Sequence, residues 1–122
     1  MNKTYDKLVR DKVIDKILED PRNKVEFRTV TGEELYKYRQ KKVIEELEEL
    51  KTAVDYNNVY LATDMLEELT DVVEALWYFL YGRAVTKDEL ITFYDVFVAP
   101  KREHKGAFDK NLILKGVKSD EE

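Results

Sequence analysis

Two stretches of helical apolar periodicity, Gly32 to Asp55 and about Val59 to Tyr81, constrain this chain more than any other feature. In the first, Val43, Leu47, Leu50 and Val54 recur at three- and four-residue spacing. In the second, Met65, Leu66, Leu69, Val72, Val73, Leu76 and Leu80 form the stripe. Thr31 with Glu34 is a capping-box signature for the first helix. Gly82 supplies the residue that closes the second. The intervening Asp55, Tyr56, Asn57 and Asn58 are polar and turn-prone, so the two helices should form an antiparallel hairpin. Only four Gly and two Pro in 122 residues argue against a turn-rich β-sandwich or barrel. The expectation is a single all-α domain over residues 1–122, a four-helix-bundle-like core with short extended segments at most.

The flanking sequence completes that picture. A first helix should start near Leu8 or Val9 and use Val13, Ile14, Ile17 and Leu18 before Pro21 stops it. Residues 25–30 alternate apolar and polar side chains and read as a short extended segment. Thr86 with Glu89 makes a second capping box, opening a fourth helix that reaches toward Pro100 and resumes or loosens beyond it. Gly106 breaks the pattern, residues 111–115 read as a short strand or extended tail, and the last five residues should fray. The absence of cysteine excludes disulfides and thiolate metal sites and suits a reducing cytoplasm. The N-terminus lacks the continuous apolar core of a signal peptide, and the longest apolar run, Ala75 to Tyr81, is too short to span a bilayer. A net charge of −5 disfavours nucleic acid as the main partner.

The acids stand out against this frame. Glu45, Glu46, Glu48 and Glu49 crowd one helix, and Glu67, Glu68 and Asp71 crowd the next. Like charges at i,i+3 and i,i+4 repel, so each cluster weakens its own helix. At about 100° per residue, Glu46 lies about 60° from the centre of its apolar stripe, with Glu49 one turn on. Glu45 and Glu48 fall nearer the solvated face. Glu68 has an apolar flank in Val72, Ala75 and Phe79, and Asp71 follows it at i+3. A hairpin would set Glu46 and Glu49 opposite Glu68 and Asp71. Carboxylates so placed are desolvated and mutually repelling, and a divalent cation removes the conflict. Mg²⁺ fits best, as a hard ion that takes oxygen ligands and bridges carboxylates to phosphates. The lack of Cys and of a second His disfavours Zn²⁺. Solvated surface charge is the competing reading of either cluster alone.

Glu45-Glu46-x-x-Glu49 followed by Glu68-x-x-Asp71 resembles the signature of the MazG-like all-α nucleoside triphosphate pyrophosphohydrolases. The opening from Tyr5 to Ile17 and the segment from Lys101 to Lys115 resemble the two ends of a phosphoribosyl-ATP pyrophosphohydrolase-like subfamily. One departure is Gly106-Ala107, where many relatives carry a second glycine. The resemblance implies that Glu46, Glu49, Glu68 and Asp71 hold Mg²⁺, with Mn²⁺ as the alternative ion. It makes Glu45 a further catalytic acid of unassigned role. The implied reaction cleaves the α–β phosphate bond of a nucleotide, giving a monophosphate and pyrophosphate. A chain this short with no fused partner domain suggests house-cleaning or nucleotide-pool control. The alternatives are a non-catalytic metal- and nucleotide-binding module and a purely structural hairpin.

A polyphosphate would carry charge that metal alone does not cancel. Arg10 and Lys12, with Lys7, are therefore either phosphate ligands or a basic solvated face, and the same two readings hold for Lys101, Arg102 and Lys105. Lys42, a turn before Glu46, is a phosphate ligand or a salt-bridge partner. His104, the single histidine, reads as solvent-facing. Trp77 and Phe79 read first as core and second as a wall for a nucleobase. Beyond Asp71 the helix is apolar nearly all round, which calls for burial on several sides. A homodimer or homotetramer is the expected assembly, and the resemblance implies the same.

Overall fold

The computed structural model describes residues 3–56 and 61–119. Its regular structure is helical throughout, which bears out the all-α class. The helices are α1 (Val13–Leu18), α2 (Gly32–Asp55), α3 (Ala62–Tyr81) and α4 (Lys87–Phe93), then a π-helical turn (Tyr94–Val98) and α5 (Ala99–Lys105). The last three run on without a break, so the described residues hold four helical segments. By internal contacts the chain divides into two units, Met1–Val85 and Thr86–Glu122. Asn57, Asn58 and Val59, where the interhelical loop and the start of the second long helix were expected, lie outside the described residues, as do the last three positions. Among the described residues no helix is long and apolar enough to cross a membrane.

The first unit is built on the α2–α3 hairpin. Tyr36, early in α2, sets its ring 5.1 Å from that of Phe79, late in α3. One turn on, the Arg39 guanidinium lies 5.8 Å from the Tyr78 ring. The start of α2 therefore meets the end of α3, and the helices are antiparallel. The packed face corrects the expected stripes. Leu47 and Val54 on α2, and Leu66, Leu69, Leu76 and Leu80 on α3, are exposed. The buried positions are Glu46, Ala53, Val72 and Trp77, with Arg39, Lys42, Val43, Leu50, Met65, Glu68, Ala75 and Phe79 half-buried. Glu46 and Glu68 thus sit on the packed face rather than at its margin, while Glu49 is exposed. A two-helix contact covers only one narrow seam, leaving the Leu-rich flanks uncovered.

Helix ends follow local chemistry. Gly82 takes φ 72° and ψ 18°, and its N–H donates to the Tyr78 carbonyl at 2.9 Å, ending α3 in a left-handed cap. A Cβ there would meet Arg39 at 3.4 Å, which is tolerable contact, so the backbone conformation is the main obstacle. Gly82→Ala should cost about 1 kcal/mol, seen as a lower urea midpoint at unchanged slope. The second expected capping box forms in both halves: Thr86 accepts from the Glu89 N–H at 3.2 Å and donates its own N–H to Glu89 at 3.0 Å. The first does not. Thr31 makes no side-chain cap, and the Glu34 carboxylate is held instead by Arg28 through two bonds of 3.0 and 2.8 Å.

One further expectation changes, and two resolve between their alternatives. α1 starts at Val13, not near Leu8, and residues 3–10 run without helix because their side chains reach across to α2 and α3. Of the two readings beyond Pro100, the helix continues rather than loosens, running to Lys105. The Ala99 N–H donates to the Tyr94 carbonyl, five residues back, and this widened turn carries the helix into the proline, which has no N–H to give. Of the strand and tail readings of residues 111–115 the tail stands: they form no strand, and Leu112, Ile113 and Leu114 are exposed.

Candidate metal centre

The hairpin brings three carboxylates together from two helices. One oxygen each from Glu46 of α2 and from Glu68 and Asp71 of α3 lie within 4.8 Å of one another. The i,i+3 spacing puts Glu68 and Asp71 on one side of α3, and the antiparallel crossing puts Glu46 opposite them. Glu46 is only 6% exposed. Its Oε2 is buried without a hydrogen-bond partner among the described residues, and so is Oε2 of Glu68. Such atoms destabilise a fold unless something donates to them or coordinates them.

Basic side chains meet part of that demand. Lys42 Nζ lies 2.9 Å from Glu45 Oε2 and 3.1 Å from Glu46 Oε1. Burial pushes the Lys42 ammonium down, but its bonds to Glu45 and Glu46 outweigh this and hold it above the ordinary lysine value. Arg10 donates to Asp71 Oδ1 at 2.8 Å. Lys7 Nζ lies 3.7 Å from Glu45 Oε1. Glu49 stands outside the triad, and its carboxyl is pushed above the ordinary range by its own partial burial and by the charges of Glu46, Glu68 and Glu45. Five carboxylates face three cations, a formal surplus of two negative charges. The donor set is all oxygen and two buried acceptors are unpartnered, so these residues fit a hard divalent cation.

The other residues singled out in the sequence fall as follows. Glu45 is half-buried between Lys42 and Lys7, not on the solvated face, because those two ammonium groups draw it in. Glu48 is exposed. Lys12 is exposed at the turn before α1. Lys101, Arg102 and Lys105 lie on α5 in the second unit, where Arg102 donates to the Tyr94 hydroxyl at 3.4 Å; His104 beside them is exposed. Trp77 is buried and packs its ring 5.6 Å from that of Tyr81, and Phe79 packs on Tyr36, as expected of core. Lys7, read as a phosphate ligand or a basic solvated residue, instead pairs with an acid of the cluster, Glu45. Its signal was the extended Lys7–Lys12 segment, whose alternating charges suit a strand laid across acids better than a helix.

The family model for phosphoribosyl-ATP pyrophosphohydrolase matches residues 7–104. The match takes in both acidic helices and begins at Lys7, and the chain belongs to that family. No curated protein and no solved structure matches the chain. Membership implies hydrolysis of a nucleotide with pyrophosphate as a product.

Proposed function

We propose that this chain is a Mg²⁺-dependent nucleotide pyrophosphohydrolase that cleaves the α–β phosphate bond of a nucleoside triphosphate or related nucleotide. The observation that carries the metal is the pair of buried, unpartnered oxygens on Glu46 and Glu68 within the carboxylate triad. Glu46, Glu68 and Asp71 would hold the ion, with Glu49 beside them. When bound, Mg²⁺ supplies charge neutralisation for the phosphates and a more acidic bound water. Glu45, held between two ammonium groups, would serve as a further acid. Glu49, whose carboxyl is held above the ordinary range by its partial burial and the charges around it, is the proposed acid–base group of this cluster. Arg10 and Lys42 are the cations beside the triad and are the proposed phosphate ligands there. A cytoplasmic role in nucleotide-pool control accords with the absence of cysteine.

Purified protein with Mg²⁺ and a panel of triphosphates, phosphoribosyl-ATP included, tests the reading by product analysis. The expected products are a monophosphate and pyrophosphate, lost on chelation. Stepwise release of orthophosphate would overturn the assigned bond. Metal binding without turnover would leave the non-catalytic nucleotide-binding module instead.

The proposed enzyme is a homo-oligomer. Taking about 100° per residue, Leu47 and Val54 lie roughly 100° and 80° round α2 from Glu46. Leu69 and Leu76 lie roughly 100° and 80° round α3 from Glu68, in the same sense. On antiparallel helices these flanks share one side of the hairpin. Glu49 and Asp71 lie about 60° the other way. A second hairpin can cover the apolar side without obstructing the acids. Light scattering should give a multiple of 14.5 kDa, and Leu69→Glu should lower the mass before it unfolds the chain. A well-behaved monomer at micromolar concentration refutes the assembly.

A further inference from the structure

We infer that Arg10 is an exchangeable counter-ion of the metal centre, competing with the divalent cation for Asp71. The inference rests on the metal reading above and adds a residue that tunes metal affinity. Two of the three cations at the site differ in how they are held. Lys42 stands on α2 beside Glu45 and Glu46, at i,i+3 and i,i+4, bonds both, and is only 20% exposed. Arg10 lies in a segment outside any helix, and its bond to Asp71 spans 61 positions of sequence. Both side chains of that pair are open to water, Arg10 at 55% and Asp71 at 41%. Water can therefore replace either partner, and such pairs contribute little to stability. The triad needs an Asp71 oxygen, and a guanidinium 2.8 Å from Oδ1 repels any ion that takes either oxygen of that carboxylate.

Arg10 in turn has somewhere to go. A guanidinium makes its best bidentate bonds to phosphate, so a released Arg10 is positioned beside the acids with its donors free for the incoming polyphosphate. The centre thus keeps a cation at Asp71 whether or not metal is bound.

Titration calorimetry with Mg²⁺ alone, on the full chain, tests this. Arg10→Ala should bind Mg²⁺ about threefold more tightly than the wild type, because an exposed pair of this kind sets the scale of the competition. Arg10→Lys, which keeps the charge but loses the planar fork, should fall between them. The Arg10 side-chain Nε–H resonance should shift on adding Mg²⁺ to the wild type. Equal or weaker Mg²⁺ binding by Arg10→Ala, or an Arg10 resonance indifferent to Mg²⁺, overturns the exchange while leaving the metal centre standing. Failure of both proteins to bind Mg²⁺ overturns the centre and the exchange together.

Discussion

Glu68→Gln should reduce turnover by more than about 100-fold and leave the metal-free protein as stable as before, or more so. Removing a residue that merely orients a metal ligand lowers affinity or activity by about 10- to 100-fold, so removing a ligand should exceed that range. The stability half follows from the carboxylate's surroundings. Glu68 Oε2 is buried without a partner, and Glu49 and Glu46 press negative charge on the same space. Glutamine keeps the side chain's shape, removes one charge and can donate to the neighbouring carboxylates, so a repulsive contact becomes an attractive one. Added Mg²⁺ should raise the wild-type stability by about 2.7 kcal/mol at a hundred times its dissociation constant, and Glu68→Gln should lose most of that gain. Glu46→Gln should lose activity equally but gain less metal-free stability, since Lys42 already holds Glu46 at 3.1 Å. Glu48→Gln, on the exposed face, should change neither activity nor the response to Mg²⁺. If Glu48→Gln and Glu68→Gln behave alike, the carboxylates are surface charge and the enzyme reading fails.

The long helices were legible because each is long enough for periodicity to accumulate: α2 starts at Gly32 and ends at Asp55, and α3 closes at Gly82, all as the pattern predicts. The meeting of Glu46 with Glu68 and Asp71 was legible too, since spacing along two antiparallel helices fixes it. What the pattern could not reveal was which apolar flank the hairpin uses. Hydrophobicity names the faces that avoid water, not the partner that covers them, and Leu47, Val54 and Leu69 await something other than the hairpin. The Thr31 box failed for a related reason. A local motif predicts a local bond, and Glu34 found a stronger charged partner in Arg28. The same limit hid the N-terminal segment. Lys7 and Arg10 lie in a sequence that can form a helix, and long-range ion pairs with Glu45 and Asp71 draw it out instead.

Lys42→Met should destabilise the metal-free protein by about 2–3 kcal/mol, the largest loss expected from any single change at the centre that spares the carboxylates. Removing one partner of a buried pair strands the other, and here it strands Glu46, whose side chain is 8% exposed, beside Glu49 and Glu68. The loss should fall short of the full range for buried pairs because Lys42 itself keeps 20% exposure and water can reach part of the gap. Two further variants and one ion separate charge from packing. Lys42→Met with Glu46→Gln should recover most of the loss, because no buried charge is then left alone. Saturating Mg²⁺ should also recover much of it in the single variant, the ion supplying the missing positive charge. The pH dependence has a definite sign. The Lys42 ammonium is held above its ordinary value of 10.5, so its contribution is present in full below that pH and is lost as pH rises through the raised folded value. The stability difference between wild type and Lys42→Met should therefore hold steady from neutral pH toward 10.5 and close only above it. A difference that vanishes near neutral pH, or a Lys42→Met protein as stable as wild type without metal, would show that Glu46 draws its compensation from elsewhere. The surplus negative charge would then be too weak to demand a divalent ion.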